Sequence, residues 1–179
     1  VLFRRQRQMC IRDSINIIRG SNMKKIFFLI LASQTFFISA NTPEQNNEAK
    51  KVIYKYAEIV DSRSFDEFNL IMWPEFSMTG GYDLKGIEAF EGAMGYLATT
   101  YSKTMHFIGN IDGSWDGDMY KGKTYCIASH IFEEDGAMKK LDMGIIYEDT
   151  LERREGKVKF LNRNFNLQWQ KTETLDKLN

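Results

Sequence analysis

Four β-prone runs lie close together in the second half of this chain. They are MHFIGNID from Met105, KTYCIASHIF from Lys123, MGIIYEDTLERR from Met143 and VKFLNRNFNLQWQ from Val158. DGSWDGD, EEDGAMKK and Arg154-Glu-Gly-Lys157 separate them as turn signals. Such short connections permit only antiparallel neighbours, because a parallel crossover needs a dozen residues or more. Before them the pattern is helical. A helix is predicted over about 44–61, with Ile53, Ala57, Val60 and Asp61 on one stripe; a short one over 65–72; and a third over 86–101 with Ile87, Phe90, Met94 and Leu97 on one face. Trp73-Pro74 stops the second helix, EFSMT is a short strand, and Gly80-Gly81 is a turn. Helices first and antiparallel strands after them make an α+β domain, a curved sheet with the helices on one face.

The formal charge of the chain is balanced, with 24 Lys+Arg and 24 Asp+Glu, but its two ends differ. Residues 1–40 carry seven basic side chains and one acidic one, which leaves 17 basic and 23 acidic from Asn41 onward. The body is mildly acidic and has no basic stripe, which argues against nucleic acid as a partner. The basic excess belongs to the front. Met23 to Ala40, MKKIFFLILASQTFFISA, has a lysine pair, an apolar stretch and a small closing residue, and reads as a signal peptide. Residues 1–22 precede that start and read as a non-native leader, a translated read-through. The expected organisation is therefore leader 1–22, signal peptide 23–40 and one domain over 41–179. The expected location is the periplasm or outside the cell, with no membrane association after cleavage. Cys126 is the one cysteine left after cleavage, so no internal disulfide is expected, and its apolar run suits a buried thiol.

Polar residues then stand out against the alternation of the strands. In the last strand Leu161, Arg163, Phe165, Leu167 and Trp169 share one face, and Asn162, Asn164, Asn166 and Gln168 the other. Leu161, Phe165 and Leu167 should be buried and the asparagines more exposed. Arg163 among aromatics needs a carboxylate, Asp149 or Glu148, or an anionic ligand. Tyr147 and Asp149 share the more apolar face of their strand. The chain has two histidines, His106 and His130, both on apolar strand faces. Asp61 ends the first helix, where the helix dipole disfavours a carboxylate. It either caps the following Ser-Arg-Ser-Phe turn or meets a partner such as histidine. No HxH or HxxxH spacing is present, so neither a metal nor another cofactor is expected.

YAEIVDSRSFDEF, KGIEAF, TMHFIGN, YCIASHIF and GIIYEDTLERREGKVKFLNRNFNLQW, taken in that order, resemble the SnoaL-like branch of the nuclear transport factor 2-like superfamily, including scytalone dehydratase-like proteins. The resemblance spans about Glu48 to Trp169. It implies a cone, a strongly bent sheet wrapped around three helices with a pocket at the wide end. It implies that Asp61 orients His106 as general base and that His130 is a second pocket histidine. Tyr54 and Tyr56 match pocket tyrosines, whereas the Asn that the dehydratase branch carries on the MGIIYED strand is missing. The superfamily includes isomerases, cyclases, dehydrochlorinases and ligand binders. The implied function is a cofactor-free lyase or isomerase using the Asp–His pair, with His130 or Tyr147 as donors and Tyr56 and Arg163 at a small apolar or partly anionic substrate. The rival is a non-catalytic ligand-binding or structural domain of the same fold. A homodimer is expected to pair through the sheet, with the asparagine face as its polar interface.

Overall fold

The computed structural model describes residues 42–176, so the expected leader and signal peptide fall outside the described residues. Helix α1 spans Pro43–Ser62 and starts from a capping box: Gln45 N donates to Thr42 Oγ1, and Thr42 N donates back to Gln45 Oε1. Pro43 suits this first turn because its missing N–H would have had no helical partner. Ala49, Ile53, Tyr56, Ala57 and Val60 recur at helical spacing and are buried. The expected second helix is shorter than its pattern, a 3-10 turn over Phe65–Glu67 followed by α2, Phe68–Ile71. It ends at Met72, where the backbone is already extended. Helix α3 is Ile87–Thr100.

The strands are β1 Met72–Thr79, β2 Leu84–Lys85, β3 Lys103–Asp116, β4 Met119–Glu134, β5 Ala137–Arg154 and β6 Lys157–Thr174. They form one six-stranded sheet in the order β2-β1-β6-β5-β4-β3, antiparallel throughout except where β1 runs parallel to β6. Each of the three long hairpins turns on two residues. Asp135 and Gly136 (φ 55° and 72°), and Glu155 and Gly156 (φ 51° and 75°), take the left-handed backbone that matches the twist of the strands. The turn expected at DGSWDGD is narrower, because β3 continues to Asp116 and only residues 117–118 turn.

The expected register of β6 fails at two bulges. Leu151 pairs with Phe160 and Thr150 with Asn162, so Leu161 is extra; Ile145 pairs with Leu167 and Gly144 with Trp169, so Gln168 is extra. Each bulge moves the following residues by one step and changes the face they occupy. Phe160, Arg163 and Phe165 face the helices, whereas Trp169 lies on the outer face beside Gly144. Leu161 and Phe165 are half-buried and Leu167 is 44% exposed, so the expected burial of Leu167 is corrected. The asparagines do lie on the outer face but are half-buried. Asn162 Nδ2 donates to Ser77 O and Oγ, and Thr79 Oγ1 donates to Asn164 Oδ1, which ties the polar ladder to β1.

Phe68, Phe76, Phe90, Phe160 and Tyr56 form the aromatic centre of the core between helices and sheet. No helix among the described residues is long and apolar enough to cross a membrane.

Candidate functional site

β3 is the sheet edge beside α1, so part of its backbone has no strand to bond. Asp61, in the last turn of α1, takes that place. Its Oδ2 accepts from His106 N at 2.7 Å, and its Oδ1 accepts from Thr104 Oγ1 at 2.9 Å and lies 2.7 Å from His106 Nδ1. Three contacts explain how a carboxylate is tolerated at the negative end of a helix. Burial pushes the Asp61 carboxyl up, but the bonds from the His106 ring, the His106 N–H and Thr104 outweigh it and hold the pKa below its ordinary value. An ionised carboxylate only accepts, so Nδ1 of His106 carries the hydrogen and Nε2 is the basic nitrogen.

His106 lines a cavity between helices and sheet. Tyr56 and Val60 of α1, Met94 and Leu97 of α3, Ala128 and His130 of β4, and Met143, Ile145 and Tyr147 of β5 complete much of the wall, with Tyr82 and Phe165 packed edge to face. Its volume is about 60 Å³. One water needs roughly 10–15 Å³, so the cavity holds a few waters as it stands. His130 is 5% exposed, its ring centroid lies 6.1 Å from that of His106, and its Nδ1 is buried with no hydrogen-bond partner among the described residues. Burial, then the neighbouring His106, pushes the His130 pKa down against the contrary pull of the Leu141 and Ala128 backbone.

Tyr56 and Tyr147 also reach the cavity; burial pushes the Tyr56 hydroxyl up to about 12 against the pull of Arg163, and pushes Tyr147 well above its ordinary value. Both are therefore hydrogen-bond donors at neutral pH. Arg163 does not line the cavity. It is fully buried, with its guanidinium carbon 4.2 Å from the ring centroids of both Tyr56 and Tyr147 and its charge paired to Asp149. Tyr54 is half-exposed, off the cavity wall. Burial first pushes the Cys126 thiol up to about 12, as expected of an inert buried cysteine. No cluster of three or more His, Cys, Asp or Glu side chains suited to a metal occurs among the described residues.

The structure thus brings His106, His130, Tyr56 and Tyr147 onto one cavity wall, with Asp61 off that wall and bonded to His106. Sequence reasoning missed Thr104, although it lies two residues before His106 and therefore on the same strand face. It also missed Arg63 and Tyr82 on the wall, where no local pattern marks a helix cap or a turn as part of a pocket.

The SnoaL-like domain family model matches residues 42–164. No curated protein matches the chain. Among solved structures, it is similar to a proposed scytalone dehydratase from Novosphingobium aromaticivorans, with 14% identity, a TM-score of 0.65, and 72% of this chain and 87% of that one covered. It is similar to a hexachlorocyclohexane dehydrochlorinase, LinA type 2, with 21% identity, a TM-score of 0.65, and coverage of 75% and 91%. It is also similar to LinA-type3 from Novosphingobium barchaimii LL02, with 17% identity, a TM-score of 0.63, and coverage of 75% and 92%. At such identities these likenesses speak for the fold. With three helices on a bent six-stranded sheet and the family model covering nearly all the described residues, the chain belongs to the SnoaL-like family of the nuclear transport factor 2-like superfamily.

Proposed function

We propose that this protein is a cofactor-free lyase or isomerase acting on a small organic molecule, with His106 as general base. The observation that carries the reading is the contact of Asp61 Oδ1 with His106 Nδ1 at 2.7 Å on the wall of an apolar cavity. The carboxylate fixes the tautomer and stabilises the imidazolium once Nε2 has taken a proton from a C–H of the substrate. The electron pair left on carbon either forms a double bond as a group on the next carbon departs, or is held as an enolate and reprotonated elsewhere. His130, Tyr56 and Tyr147 supply donors for the oxygen or leaving group that gains charge. The dehydratase and dehydrochlorinase names of the structural neighbours agree with elimination chemistry.

The test is to incubate the protein in deuterated water with small molecules that carry an acidic C–H beside a leaving group. Elimination product or deuterium incorporation is followed by mass spectrometry. His106→Gln is expected to lower turnover by about 10²–10⁴-fold. No turnover across such a panel, with saturable binding retained, favours the second reading, a non-catalytic binding domain. The apolar wall and the small volume of the cavity support that reading.

Export to the periplasm or beyond accompanies either reading, on the strength of the Met23–Ala40 segment. Expression from Met23 in a Gram-negative host should yield periplasmic protein starting near Asn41. A homodimer through the outer sheet face is supported by the exposed side chains of Met105, Phe107, Tyr125, Ile127 and Trp169. Light scattering on the purified protein decides between monomer and dimer.

A further inference from the structure

Arg163, the cation that sequence reasoning offered to an anionic substrate, is shut away with Asp149. A different cation lies on the cavity wall. Arg63 follows α1 at its C-cap, and its Nη1 donates to Ala98 O at 3.2 Å while its Nη2 donates to Tyr101 O. A guanidinium has five N–H donors, so three remain. Arg63 makes no ion pair among the described residues. Its backbone is left-handed, φ 63°, a conformation that glycine adopts more cheaply by roughly 1–2 kcal/mol.

The second observation is independent. His130 is 95% buried; the backbone of Leu141 and Ala128 lies near its ring, yet its Nδ1 makes no hydrogen bond of good geometry among the described residues. A buried polar nitrogen left unpaired is costly, and in a cavity the partner is water or ligand. Tyr101 joins the two sites: its carbonyl accepts from Arg63 and its ring centroid lies 4.7 Å from that of His130. Arg63 and His130 therefore mark the same end of the cavity, the end closed by the last turn of α3, and His106 is the neighbouring imidazole.

We infer that the cavity takes a small organic anion whose carboxylate, or an equally charged oxygen, is held by Arg63 while its apolar body faces the methionine-lined wall. Asp61 keeps its negative charge, because its three hydrogen-bond partners are neutral, so Arg63 has to outweigh that charge at the bound anion. Met78, Met94 and Met143 give that wall thioethers that repack around a ligand larger than the present space. The part of this inference that brings the anion's C–H to His106 rests on the general-base reading; the anion site does not.

Arg63 has a rival use as a cap for α3, whose last turn has no basic residue of its own. Calorimetric titration of the full chain separates the two. The probes are propionate and benzoate, each compared with its amide, on wild type, Arg63→Gln, Arg63→Lys and His106→Gln. At least one carboxylate is expected to bind saturably and at least tenfold more tightly than its amide. Arg63→Gln should abolish that preference without weakening the amide, Arg63→Lys should keep part of it, and His106→Gln should keep most of it. An unchanged preference in Arg63→Gln, with only a lower melting temperature, overturns the proposal in favour of the cap. So does the absence of saturable carboxylate binding at millimolar concentrations. Should Arg63→Gln not fold, Arg63→Lys decides, because a point charge without the fork must weaken a carboxylate site more than an amide site. Loss of turnover in His106→Gln with carboxylate binding intact supports the base and the anion site separately; intact turnover sinks the base alone.

Discussion

Asp149 and Arg163 face each other across β5 and β6, out of reach of solvent, joined by Nε–Oδ1 and Nη2–Oδ2 bonds of 2.7 and 2.9 Å. Thr124 Oγ1 donates to the same carboxylate at 2.7 Å. This pair holds up the back of the site, because the guanidinium lies against the rings of Tyr56 and Tyr147 and those rings face the cavity.

Breaking the pair from one side leaves a buried charge. Asp149→Ala is expected to cost about 3–5 kcal/mol, and replacing both residues with Leu and Met to cost clearly less. Urea unfolding of the two variants measures the difference. Equal losses would mean that the ion pair itself, rather than the uncompensated charge, carries the stability.

The Asp61 carboxyl, held below its ordinary value of 3.8, contributes stability that is present above that value and lost as pH falls through the lower folded-state value. The stability gap between wild type and Asp61→Asn should therefore be flat near neutrality and close in acid below about pH 4. Thermal melts from pH 3 to pH 7 check this. A gap independent of pH would show that the carboxylate's charge adds nothing to the three hydrogen bonds.

His130 gives a slope of similar direction in a different window. Its pKa is lowered below 6.5 by burial, so the unfolded chain takes the proton first. Stability should be complete above about pH 6.5 and decline as pH falls below it. His130→Gln should flatten the profile between pH 5 and 7, as followed by denaturant midpoints.

Two glycines make room for rings, with different expected costs. A Cβ on Gly113 would lie 2.4 Å from the hydroxyl oxygen of Tyr120, which is 2% exposed, and 2.6 Å from the Cα of Gly122. A Cβ on Gly144 would lie 2.2 Å from the indole of Trp169, which is 50% exposed and free to swing outward. Gly113→Ala should therefore lose about 1–3 kcal/mol, while Gly144→Ala should lose less and shift tryptophan fluorescence.

The helices and hairpins were legible because periodicity and turn chemistry are local. The spacing of Ile53, Ala57 and Val60 and the Gly136 and Gly156 turns lead to the same architecture in the structure. The face of the last strand was legible only between the two bulges, from Asn162 to Leu167. Nothing in LNRNFNLQW marks Leu161 or Gln168 as extra residues, because a bulge is decided by the partner strand. The pair of Asp61 with His106 was legible as two misplaced polar residues and a resemblance. Arg63 was not, since its position depends on the last turn of α3, where its partner Ala98 lies 35 residues further on.

Asp61 has two tasks. Its Oδ2 accepts the backbone N–H of His106 on the outer rim of β3, where another chain's extended segment would otherwise add itself. The carboxylate thus occupies an edge donor that a strand of another copy could otherwise pair with, whether or not any reaction takes place. A descendant of this protein that had given up turnover would still be under pressure to keep the aspartate, and would keep it for solubility. An aspartate at this position is therefore a poor marker of an enzyme when it stands alone; the histidine ring, which the edge does not need, is the better one.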